Sequence, residues 1–142
     1  MFQLIYASHA KHAFDEMELI SLLKAARAKN LKLNITGMLL YKDGIFMQLL
    51  EGDETEVRKL FSTIKHDNRH EKVVVLFEKS CDHSVLSDWS MGFLNLESDY
   101  AKSIPGYTTF LDTPLSAQIF VDDPTMAMQF LYIFKFAKLD GL

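Results

Sequence analysis

Three neutral polar side chains stand among apolar neighbours in this chain. Tyr6 lies in the run FQLIYA, Gln48 in IFMQLLE, and Asn30 continues a helical apolar stripe. A buried amide without partners costs roughly 1–3 kcal/mol, so each group must bond to something. Backbone or mutual bonding would satisfy any one of them. Three on one side of a small sheet point instead to a shared polar ligand, a flat heteroaromatic ring with donors and acceptors on its edge and apolar contacts on its faces. Other chemistry fails on spacing. His9, His12, His66, His70 and His83 are scattered without a carboxylate at metal-ligand spacing, and His9 and His12 are expected in a loop after the first strand. Cys81 and His83 share one loop with no third group to orient them as a nucleophile pair. The glycines stand singly, so no phosphate-binding loop is formed.

The elements that must position those three groups follow from periodicity. Residues 2–7 alternate as a strand, with Phe2, Leu4 and Tyr6 on one face and Gln3, Ile5 and Ala7 on the other. Asp15 with Glu18 reads as a capping box. Leu19, Leu22, Leu23 and Ala26 then form one stripe, which Asn30 ends. From Ile35 to Glu51 two apolar runs flank Lys42-Asp43-Gly44, a hairpin signal, and Phe46, Gln48 and Leu50 share a strand face. Asp53 and Glu56 open a second helix with the stripe Val57, Leu60, Phe61 and Ile64. A polar turn at residues 66–70 precedes VVVLFE at 73–78, which its β-branched character marks as a central strand. Residues 89–94 make a further strand candidate. The order βαββαββ is an α+β, ferredoxin-like arrangement with two helices on one face of the sheet. The second face is left for the C-terminal residues 98–142, read as a helical cap.

Composition narrows the class. A chain of 142 residues that is 49% apolar and 24% charged fits one compact domain with a short appendage. A net charge of -4 argues against a nucleic-acid surface, and no stretch reads as a membrane span. One cysteine favours a reducing, cytoplasmic setting, and the start MFQLIYASHAKH lacks the pattern of a signal peptide.

FQLIYAS, N(x4)ITGMLLY, FMQLLEG, DNRH and DWSMGF, in this order and at these spacings, resemble the BLUF domain, the family of blue-light sensors using flavin. The match spans residues 1 to about 97, taken as the sensor domain, with 98–142 as the output segment. The resemblance implies non-covalent FAD, with FMN also compatible, held between the two helices. It implies that Tyr6 donates an electron and a proton to the excited flavin, and that the Gln48 amide bridges Tyr6 and the flavin edge. It places Asn30 on the polar edge of the ring, Ile35 against the ring, and Arg69 and His70 along its outer part. Lys29 is a candidate for the ribityl or phosphate groups. Trp89 and Met91 correspond to residues implicated in passing the signal outward. Ser84 and Leu86 depart from the Arg and Phe of many members, and Ala26 stands where several have serine.

A blue-light photoreceptor without enzymatic activity is therefore expected, signalling through a downstream protein partner or as a homo-oligomer. The residues after 97 are too few for a cyclase or phosphodiesterase domain, and the apolar run Met126–Ala137 is expected to cover the sheet on one side and form an interface on the other. The competing readings are a flavin-dependent redox enzyme and a flavin-free interaction module of the same fold.

Overall fold

The computed structural model describes residues 1–82 and a strand at 92–95. Its elements are β1 (Phe2–Ala10), α1 (Glu16–Leu33), β2 (Thr36–Lys42), β3 (Ile45–Gly52), α2 (Glu54–Lys65), β4 (His70–Ser80) and β5 (Gly92–Asn95). The sheet order is β4-β1-β3-β2-β5, with every neighbouring pair antiparallel except β2 and β5. This is the expected ferredoxin-like α+β arrangement.

Local chemistry sets the element ends. Asp15 accepts the backbone N–H of Glu18 at 2.8 Å, and Glu18 accepts that of Asp15 at 3.3 Å, so the capping box forms. Asn30 does not end the helix, which runs on to Leu33 and closes on Asn34 in the left-handed region at φ 57°. Asp53 caps α2 through the N–H groups of Thr55 and Glu56. Asp43 and Gly44 have φ of 52° and 74°, the turn geometry whose twist matches a two-residue hairpin.

Two expectations are corrected. First, β1 does not stop at Ala7, and His9 is a strand residue paired with Ile45 and Glu71. The strand is prolonged because Ala10 N–H donates to Gly44 O at 2.7 Å, a tie between segments far apart in sequence. Second, the valine run lies in β4 at the sheet edge, and Val75 is 39% exposed. The charges Glu71, Lys72, Glu78 and Lys79 at its two ends suit an edge, where a central strand would have to bury them. Bulges between Ile5 and Tyr6 and between Ala7 and His9 also disturb the β1–β4 register.

The main core lies under the helices. Phe2, Leu4, Tyr6, Leu39, Tyr41, Phe46 and Leu50 from the sheet pack with Leu19 and Leu23 of α1 and Val57 and Leu60 of α2. The opposite face is buried as well: Ile5, Ala7, Met38, Leu40, Met47 and Leu49 have almost no exposure, and Gln3, Glu51 and Thr36 form a hydrogen-bonded row across β1, β3 and β2. The C-terminal helical extension read from the sequence lies outside the described residues.

Candidate functional site

A cavity of about 830 Å³, its open mouth included, lies between α1, the sheet and the end of α2. Its walls are Leu22, Ala25 and Ala26 of α1, Leu39 and Phe46 of the sheet, and Leu60 and Ile64 of α2. Leu22, Ala26 and Ile64 are only half-buried although they belong to apolar stripes, because they face this space.

At the floor, Tyr6 and Gln48 are direct cross-strand partners in the β1–β3 register. Residues opposite each other in an antiparallel pair have side chains on the same face within reach, and the Tyr6 hydroxyl donates a short hydrogen bond to Gln48 Oε1. Both residues are almost wholly buried, as is Asn30, which reaches the same cavity from α1. Burial pushes the Tyr6 phenol well above its ordinary value, and the Asp67 carboxylate adds to the effect. The phenol is thus held protonated at its bond to the amide.

The mouth is polar. Arg69 grips Asp67 through Nη2–Oδ2 at 2.6 Å and Nε–Oδ1 at 3.0 Å, a fork–carboxylate pair within one turn. The bonds from Arg69 hold the Asp67 carboxyl down to about 2. His70 lies beside them, its ring edge-on to Tyr6, and Lys29 comes from α1.

Tyr6, Lys29, Asn30, Gln48, Arg69 and His70 are therefore brought together around one cavity. Ile35 is not among its walls. It is buried just before β2 against Gly52, where a Cβ would come within 3.2 Å of its Cγ1. Trp89 and Met91 lie outside the described residues. Sequence reasoning passed over Asp67, whose place two residues before Arg69 in DNRH was the available signal, and Phe14, whose N–H donates to the Tyr41 hydroxyl at 3.2 Å.

The donor set fits a flavin. Apolar walls suit a flat ring system, Asn30 and Gln48 offer amides at a polar edge, and the cations stand where the cavity opens. Comparison with known proteins agrees. The family described as BLUF, sensors of blue-light using FAD, matches residues 1–92. The chain belongs to the BLUF family.

Among BLUF relatives, it is 31% identical over 139 residues to photoactivated adenylate cyclase subunit alpha of Euglena gracilis, covering 81% of this chain and 14% of that protein. It is 33% identical over 81 residues to the blue light- and temperature-regulated antirepressor BluF of Escherichia coli K12, covering 57% of this chain and 19% of that one. The chain thus spans less than a fifth of these curated relatives. The dark-state structure of the BLUF protein BlrB superposes with a TM-score of 0.70 at 25% identity, over 89% of this chain and 93% of BlrB. BlsA in its photo-activated state gives 0.65 at 29% identity, over 86% and 92%. The flavin differs among relatives: one solved BlrP1 structure from Klebsiella pneumoniae contains FMN.

Proposed function

We propose that this chain is a blue-light photoreceptor that binds FAD non-covalently and signals through protein contacts. The observation that carries the reading is the buried Tyr6–Gln48 hydrogen bond on the floor of an apolar cavity. Asn30 and Gln48 would hold the ring's polar edge, while Lys29 and Arg69 at the mouth suit a flavin phosphate; the family's description favours FAD over FMN. When bound, flavin supplies a blue-absorbing ring whose excited state accepts an electron.

Tyr6 is the group placed to give that electron, and its hydroxyl proton has a path along the bond to Gln48 Oε1. Gln48 is nearly symmetric in shape but carries an acceptor at one end and a donor at the other. Rotation or tautomerisation of the amide therefore exchanges its partners without changing its volume. Unsatisfied buried groups are costly, so two discrete hydrogen-bond networks make a bistable switch. A Gln48 amide turned to donate to the bound ring would lower its excitation energy and shift its absorption to the red. The switch is reversible and releases no product, which is why a sensor is favoured over an enzyme.

Residues 1–97 act as the sensor and 98–142 as the output segment, working in the cytoplasm through a homo-oligomer or a separate protein partner. Within the described residues no helix is long and apolar enough to cross a membrane. The test is a pair of variants. Tyr6→Phe should keep bound flavin and lose the light-induced red shift, and Gln48→Leu should lose the normal shift independently. A wild-type photocycle in both would overturn the mechanism.

A further inference from the structure

His70 is held at both ring nitrogens. Nε2 lies 2.5 Å from the backbone carbonyl of Ile64 in the last turn of α2, and Nδ1 lies 2.8 Å from Ser8 Oγ. A carbonyl only accepts, so the ring proton is on Nε2. In the neutral ring Nδ1 then accepts, and the Ser8 hydroxyl donates to it. Ser8 is fully buried, two residues past Tyr6 on the same face of β1 and opposite Phe46 of β3. The imidazole stands edge-on to Tyr6, with ring centres 6.4 Å apart and planes at 76°.

Several charged or titratable groups share this space. Tyr6 comes from β1, Lys29 from α1, and Asp67 and Arg69 from the turn before β4. Arg69 and Asp67 are paired with each other. Held at both nitrogens, the ring cannot turn about its bond to Cβ without losing a hydrogen bond.

We propose that Ser8 is a positioning residue for the photochemical step: with the Ile64 carbonyl, it fixes the His70 ring edge-on to Tyr6, its Nε2–H donated to that carbonyl. A fixed ring beside the phenol matters because the orientation of its dipole acts on Tyr6 as the phenol loses an electron. This rests on the photoreceptor reading, but the ring's hydrogen bonding itself is measured without light.

The experiment is nitrogen-15 NMR of the imidazoles in the flavin-loaded full chain at neutral pH, combined with the yield of the red shift. The wild type should show His70 with Nε2 protonated and Nδ1 hydrogen-bonded. Ser8→Ala should lose the hydrogen-bonded Nδ1 signature and lower the yield several-fold while retaining flavin. Ser8→Thr, which keeps the hydroxyl, should restore both. A wild-type ring with Nε2 bare overturns the proposal, as does a Ser8→Ala protein with unchanged imidazole shifts and unchanged yield. If the wild type shows no red shift at all, the photoreceptor reading fails, whatever the ring's hydrogen bonds.

Discussion

On the proposed mechanism Tyr6 is the residue on which the chemistry turns, and its burial has a measurable consequence. Its phenol holds its proton far more tightly in the native state than in an unfolded chain, where tyrosine ionises near pH 10. The native state therefore binds more protons above that pH, and the stability contribution, fully present below about pH 10, is lost as pH rises further. Denaturant unfolding between pH 9 and 11 should show a fall in stability that is smaller in Tyr6→Phe; an equal fall in both proteins would contradict the burial argument. Asp67 has the opposite sign. Its carboxyl is lowered from 3.8 to about 2, so its contribution is present above about pH 4 and lost as pH falls toward 2. The pair is partly exposed, so Asp67→Asn should cost only about 0.5–1 kcal/mol at neutral pH, a difference that disappears near pH 2 in acid unfolding. Tyr6, Asn30 and Gln48 were legible in the sequence because each is a polar group in an apolar pattern, and such a group must have a partner. Asp67 was not, since an aspartate in a polar turn is ordinarily solvated and only the fold brings it to the cavity mouth. Ile35 shows the converse: a well-placed apolar residue in the motif, yet packed against Gly52 and off the cavity wall.

At the scale of elements, the ends that depend on neighbours in sequence were readable. The capping box at Asp15 and Glu18, the cap at Asp53 and the Asp43-Gly44 turn all involve residues within three positions of one another. Features that depend on distant partners were not. The extra length of β1 comes from pairing with the hairpin turn and the start of β4, and the edge position of β4 follows from sheet order, which β-branched composition does not encode. Asp15→Ala should destabilise the domain by about 1 kcal/mol, measured by urea unfolding, with bound flavin retained. Gly44→Ala should cost about 1 kcal/mol by the same measurement. Nothing lies within 4 Å of the added methyl, so the loss would come from the left-handed backbone alone. A neutral result there would mean that the turn relaxes.

At the scale of the molecule, the cavity has a hydrogen-bonded sheet for its floor and helix and turn residues for its walls. The β1–β3 register fixes Tyr6 against Gln48, α2 packs close on those strands, and the cavity opens toward α1 and the Asp67–Arg69 turn. On the proposed mechanism, a rearrangement at Gln48 would meet the sheet on one side and the cavity-lining groups of α1 and the Asp67–Arg69 turn on the other. Family membership sets this floor in a wider frame, because relatives of very different length carry the same sensor region, and the chain matches BlrB and BlsA over most of their lengths. The central claim is that light rearranges a hydrogen-bond network without consuming a substrate. The most direct measurement is the absorption spectrum of the purified, flavin-loaded protein before blue light, immediately after it, and after return to darkness. The flavin bands should move to longer wavelength without loss of intensity and return in the dark with no reductant added. Bands that do not move, or that bleach only when a reductant is supplied, would contradict the account.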